Sequence, residues 1–263
     1  MGERVTISVE DGLADVRFNR PDRLNALDVE QYEAIAAMIA RIGADPTIRA
    51  VVLSGEGRAF CSGVDLGRLG RDPRLERLSP RTHGIANLSQ QCAWGWRTLP
   101  QPVIAAVHGF AFGAGFQIML GADVRIVAPD TRLSLMEARW GLAPDVAGIA
   151  LMRGLVREDH AREIAFTARE FRGAEAVQLG AATRLADDPL AEAFAVARQM
   201  LRNSPDALRA AKRLLNLPAD ADTATILQAE SVEQDALLAS ANHHETLAAH
   251  REKRTPRFTD PMA

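Results

Sequence analysis

Apolar and polar positions alternate at the start of the chain, in RVTISVEDGLADVRFNR, around an Asp11-Gly12 step. That pattern predicts two strands joined by a two-residue hairpin turn. The next stretch, LDVEQYEAIAAMIARIG, changes to helical spacing, with Asp28 as its expected N-cap and Gly43 at its exit. Three short apolar runs, AVVLSG, PVIAAV and DVRIVAPD, then read as buried strands. Strands alternating with helices in this order predict stacked βα units around a largely parallel sheet, an α/β fold. Beyond Asp188 the strand pattern stops. PLAEAFAVARQMLRN, SPDALRAAKRLLNLP, DTATILQAESVEQDALLAS and NHHETLAAHREKR all carry helical periodicity, with breaks expected at Ser204-Pro205, Pro218 and Asn242. On pattern, the chain divides into a core over residues 1–187 and an all-helical region over 188–263. The apolar stripes of that region have little sheet left to cover, which suits packing on another subunit.

Composition narrows the function classes. An apolar fraction of 47% over 263 residues fills a sizeable core, and a net charge of −3 gives no basic field for nucleic acid. No nucleic-acid partner is expected. The opening residues read as a strand rather than a signal peptide, and there are only two cysteines, Cys61 and Cys92, so the expected compartment is cytoplasmic. Residues 102–122 carry no charge and are about as long as a bilayer span. Their four glycines and leading proline favour strand, turn and short helix instead, so no membrane partner is expected.

Chemistry concentrates in three stretches: AFCSGVDL, HGFAFGAGFQIMLGAD and SLMEARWGLAPDVAG. In the second, small residues from Gly109 to Gly115 lead into an apolar helix whose single polar residue is Gln117. The first amides of such a helix lack intrahelical acceptors and suit an anion, although small residues that merely allow close packing give the same pattern. A Walker loop is excluded because no Gly-Lys-Ser/Thr follows, and a dinucleotide fingerprint is poorly matched. The six histidines, His83, His108, His160, His243, His244 and His250, show no spacing with carboxylates that suggests a metal site. No metal is expected.

Taken in order, FNRPDRLNALD, RAVVLSGEGRAFCSGVDL, PVIAAVHGFAFGAGFQIMLGADVRIVAPDTRLSLMEARWGL and HREKRTPRF resemble, end to end, the crotonase or enoyl-CoA hydratase/isomerase superfamily. The resemblance implies a crotonase-type spiral of ββα repeats with a C-terminal all-helical trimerisation region. It implies an acyl-CoA thioester as substrate, a homotrimer or hexamer, and no cofactor apart from the coenzyme A that the substrate carries. By position it implies an oxyanion hole of the Val64 and Ala114 amides. It also implies coenzyme A contacts from Arg23, Leu24, Ala26, Ser62, Asp65 and Leu66, and from Lys253 or Phe258 in the C-terminal segment, which the family supplies from a neighbouring subunit.

Hydratases of the family carry glutamates at the positions of Gln117 and Glu137, whereas here only Glu137 is an acid. Asp145 stands eight residues later in GLAPDVAG, a pattern that looks like the GL..DVG of dienoyl-CoA isomerases, although those also have an acid where this chain has Gln117. The resemblance therefore makes Glu137, Asp145 and Gln117 the candidate catalytic residues. Asp145 also suits the N-cap of a helix beginning at Val146. Trp94, Trp96 and Trp140 are candidates for the acyl pocket wall or for core packing, and Cys61 reads as a packing residue. Isomerisation of an enoyl- or dienoyl-CoA double bond is the favoured activity. The alternatives are a hydratase working through Glu137 alone, displacement on an aryl-CoA with Asp145 as nucleophile, and a non-catalytic acyl-CoA-binding protein.

Overall fold

The computed structural model describes residues 3–67, 72–75, 77–218 and 220–261. Strands β1 (Val5–Glu10) and β2 (Leu13–Phe18) form the expected antiparallel hairpin. Asp11 and Gly12 both have positive φ, 50° and 82°, which twists the turn the way the flanking strands require. Helix α1 (Val29–Ala44) is capped by the Asp28 carboxylate, which accepts from the Gln31 amide. The helix ends at Asp45 rather than Gly43; a Cβ at Gly43 would lie 3.3 Å from a Leu99 methyl, so that glycine serves close packing instead of termination.

The chain then alternates through β3 (Ala50–Gly55), α2 (Leu88–Thr98), β4 (Val103–Val107), β5 (Phe110–Phe112), α3 (Ala114–Leu120), β6 (Val124–Val127) and β7 (Arg132–Ser134). It continues through α4 (Gly148–Met152), α5 (Glu158–Thr167), β8 (Phe171–Arg172), α6 (Gly173–Leu179) and β9 (Arg184–Leu185). Six strands form one sheet in the order β1-β2-β3-β4-β6-β9, parallel after the hairpin, and β5-β7-β8 form a smaller one. Each turn of the spiral gives one strand to each sheet: β4, β5 and α3 make one ββα unit, and β6, β7 and α4 the next. The unit before them begins at β3 and reaches the small sheet through a bridge between Cys61 and Ala111. The uncharged run over 102–122 is thus divided among β4, β5 and α3, and no helix among the described residues is long and apolar enough to cross a membrane.

Strands β3 and β4 are buried along their whole length, so both faces of the large sheet need cover. One face packs on α1, α2 and α3; the other packs on α7 (Pro189–Met200), whose Ala193, Val196 and Ala197 lie against Val52, Ile104, Ala106 and Ile126. The first C-terminal helix therefore does cover sheet. Of the remaining helices, α8 (Pro205–Leu215) is capped by Ser204, and α9 (Thr223–Leu238) buries none of its residues, leaving Leu227 and Val232 exposed. The break before α10 (Ala241–Glu252) falls at Ser240, which caps the helix; Asn242 lies inside it, buried, and joins Asp206 to the Thr259 backbone.

Candidate active site

Three neighbouring segments of the small sheet end side by side: the Cys61 bridge, β5 and β7. Beyond those ends the chain continues as Ser62-Gly63-Val64, Gly113-Ala114 and Met136-Glu137, and these residues line a chamber of about 80 Å³ with Trp140 and Leu142. Parallel strands commonly leave their binding crevice at their carboxyl ends. The segments are close enough that only glycine fits at two points. A Cβ on Gly115 would overlap the Cys61 carbonyl, and Gly113, at φ 50°, would set its Cβ 3.1 Å from Oε1 of Glu137.

The Val64 amide finds no hydrogen-bond acceptor among the described residues, and the Ala114 amide opens α3, where the helix offers it none. A Cβ on Gly63 would lie 3.7 Å from the Ala114 nitrogen, so the two segments are adjacent. Val64 is held by Leu27 on its other side: the Leu27 amide donates to Gly63 O at 2.8 Å and the Asp65 amide to Leu27 O at 2.8 Å.

Glu137 is buried, and its two oxygens differ. Oε1 accepts a 2.6 Å hydrogen bond from Nε2 of Gln117, while Oε2 has no partner among the described residues. Burial pushes this carboxyl above the usual glutamate range; its own amide and Gln117 pull it down, and the charge of Asp145 adds to the rise. Gln117 is 0% exposed and does not line the chamber. Its Oε1 accepts from the Val146 amide at 2.9 Å and the Gly148 amide at 3.0 Å, which fixes the amide so that Nε2 must face Glu137. The structure thus puts Gln117 behind Glu137, in contact with it rather than with the chamber.

Asp145 is not a helix cap. The helix starts at Gly148 with Ala147 before it at φ 61°, and the amides of Val146 and Gly148, which a local cap would have served, donate to the Gln117 side chain instead. The Asp145 carboxyl instead lines a second cavity of about 150 Å³, which shares Val64 and Leu142 with the chamber as a common wall. Desolvation inside that cleft raises its pKa. Trp140, 54% exposed, stands at the chamber, whereas Trp96 is core. Cys61 packs: its thiol donates to Asn25 O, and burial pushes it up to about 12.

Leu24, Ala26, Ser62 and Asp65 gather beyond the carboxyl end of β3, where the Ser62 amide donates to Leu24 O at 3.0 Å. Arg20, which the sequence did not single out, ties this group together by bonding Ala26 O at 2.8 Å, Asp65 at 3.0 Å and Asp28 at 3.1 Å. Arg23 and Leu66 are exposed at its edge. Lys253 and Phe258 do not join it within one chain. Lys253 ends α10, and the Phe258 carbonyl accepts from Arg49 at the opposite end of β3, roughly 20 Å away at the ordinary rise of a strand. A wider depression of about 520 Å³ between α4 and α5 has one carboxylate in its lining, Glu158, already paired with Arg162.

A family model described as enoyl-CoA hydratase/isomerase matches residues 8–261. The chain belongs to that family. Among relatives of this chain, a 1,2-epoxyphenylacetyl-CoA isomerase of Escherichia coli K12 is 30% identical over 271 residues, covering 98% of this chain and 99% of its own. A short-chain-enoyl-CoA hydratase of Clostridium acetobutylicum is 28% identical over 253 residues, covering 95% of each. The crystal structure of an enoyl-CoA hydratase from Bacillus anthracis superposes with a TM-score of 0.89 at 27% identity, over 98% of this chain and 100% of that one. The protein is an acyl-CoA enzyme of crotonase fold.

Proposed function

We propose that the enzyme isomerises the double bond of an enoyl- or dienoyl-CoA, with Glu137 as the group that moves the α-proton. The observation that carries this reading is the single carboxylate of the chamber, with Gln117 donating to one oxygen at 2.6 Å and the other oxygen without a partner among the described residues. Glu137 takes the α-proton of a 3-enoyl-CoA, and the C–H electrons move into a dienolate whose charge rests on the thioester oxygen. The Val64 and Ala114 amides hold that oxygen, each preorganised donor being worth about 3 kcal/mol in the transition state. Return of a proton at the γ-carbon gives the 2-enoyl-CoA with no net change in oxidation. Hydration needs a water activated and a proton delivered in one event, and Gln117 exchanges no proton at neutral pH. Asp145, further along the acyl chain, serves the distal end of a diene.

Coenzyme A enters as part of the substrate, held by the Leu24–Leu66 group of one subunit and by Lys253 or Phe258 of a neighbour. The assembly is a homotrimer or a pair of trimers, with the exposed apolar residues of α9 in the contact. Analytical ultracentrifugation at micromolar concentration is expected to give a trimer or hexamer; a stable monomer contradicts it. Because Glu137 acts as a base, it must be ionised. Its pKa is raised, so kcat/KM should fall as pH drops through a value above the ordinary glutamate figure of about 4.3. Asp145→Asn removes a neighbouring charge and should move that limb down. The activity itself is tested by incubating 2-enoyl-, 3-enoyl- and dienoyl-CoA esters in D₂O and reading products with deuterium position. Double-bond migration should outrun hydration, and the reverse order, or no turnover of any ester, overturns the reading.

A further inference from the structure

The cavity beside the chamber is more polar than an alkyl chain needs. Tyr32 on α1, the one tyrosine of the sequence, is 2% exposed, and its hydroxyl makes no hydrogen bond among the described residues. Ser89 on α2, 4% exposed, has a hydroxyl in the same condition. Both side chains line the 150 Å³ cavity together with Asp145. The two helices pack on each other here, with the Cys92 thiol donating to Tyr32 O at 3.3 Å. Neither hydroxyl oxygen is sealed off from the cavity, so water satisfies both in the free enzyme, and an apolar occupant would strip that water away at a cost of about 1–3 kcal/mol for each hydroxyl left unpaired. Two such hydroxyls facing one cavity mean that its occupant is itself a hydrogen-bonding group, water in the free enzyme and part of the ligand in the complex. Asp65 and Asp72 also line it but are held by Arg20 and Arg74, which leaves the Asp145 carboxyl, without an ion pair among the described residues, to favour a neutral or donor occupant over an anion.

We infer that the acyl group of the substrate ends in a neutral hydrogen-bonding substituent, a hydroxyl being the simplest, which Tyr32 and Ser89 bind in the cavity between α1, α2 and Asp145. This rests on the acyl-CoA reading of the chamber and adds to it the chemical class of the acyl tail. A 150 Å³ space holds a group about the size of benzene, and it shares Val64 and Leu142 with the chamber as a wall, so the tail considered is a short one, tested at six carbons. A plain alkyl end would displace the water and leave both hydroxyls unpaired, the arrangement by which sites reject an analogue that lacks a polar group.

The test uses saturated esters, so that binding is read without turnover: calorimetric titration of the enzyme with hexanoyl-CoA, 6-hydroxyhexanoyl-CoA and adipoyl-CoA, the last ending in a carboxylate. One hydrogen-bonded hydroxyl is expected to tighten binding about tenfold over hexanoyl-CoA, and in Tyr32→Phe that ratio should fall to within about twofold of unity. Ser89→Ala should reduce it part-way, and adipoyl-CoA should bind more weakly than hexanoyl-CoA. Unchanged melting curves show that the variants fold, and Ser89→Ala keeps the test decisive if Tyr32→Phe does not. Hexanoyl-CoA binding as tightly as the hydroxylated ester, or a ratio that survives both substitutions, overturns the inference. Failure of the isomerase reading looks different: turnover would survive Glu137→Gln while the binding ratio stood.

Discussion

Glu137→Gln is expected to lower double-bond isomerisation by about 10³-fold while leaving the affinity for an acyl-CoA ester nearly unchanged, within the range that a positioned acid-base group commonly contributes. The substitution is isosteric, and its carbonyl oxygen can still accept the hydrogen bond from Nε2 of Gln117, so the chamber keeps its shape. What is lost is proton exchange at a carboxyl whose burial has raised its pKa toward the working range of a base. Stopped-flow or steady-state rates on the best substrate, set beside calorimetric binding, measure the two effects separately. A variant that keeps wild-type turnover requires another base. A variant that loses both turnover and binding shows that the ionised oxygen holds the ligand rather than its proton.

Gln117→Glu has the second large expected effect. The new carboxylate keeps the oxygen that accepts from the Val146 and Gly148 amides, so the loop is not left with two buried unpaired donors. Its other oxygen takes the place of a donor 2.6 Å from Oε1 of Glu137, where two carboxylates cannot both be ionised. The pair shares one proton, and the acid limb of the pH profile moves up. A shared proton supplies what hydration lacks, a group that gives a proton while its neighbour accepts one. The ratio of crotonyl-CoA hydration to double-bond migration should therefore rise on the order of 10²-fold, the lower end of general-acid effects. Gln117 acts through Glu137, so the pH limb is the readout that a merely structural residue would not move. A limb and a ratio that both stay put contradict this role.

Local chemistry made much of the fold legible in the sequence. Asp11-Gly12 can only turn one way, and Asp28 caps α1 with its own carboxylate, because a cap is a contact between near neighbours. The stretches around Val64, Ala114 and Glu137 were legible through a family resemblance, and the ends of three adjacent segments bring them to one chamber. What stayed hidden depends on distant contacts. The two amides that orient Gln117 lie 29 and 31 residues away, so nothing local showed that it would be buried behind Glu137 or that Asp145 would be denied its cap. Asn242 looked like a helix break because asparagine favours turns, yet its partners Asp206 and Thr259 hold it inside α10. The Tyr32 hydroxyl, without a partner among the described residues, meets the cavity only because α2 and the Asp145 loop lie beside α1, which no local pattern showed.

Exchange of the α-protons of hexanoyl-CoA in D₂O, followed by proton NMR, tests most directly whether Glu137 alone moves the proton at the α-carbon. This probe has no double bond to migrate or hydrate, so it isolates the first step. The wild-type enzyme and Asp145→Asn are expected to exchange the α-position at comparable rates, and Glu137→Gln to exchange it no faster than buffer. Exchange that persists in Glu137→Gln, or that disappears in Asp145→Asn with Glu137 intact, would contradict a chamber built around a single proton-carrying carboxylate.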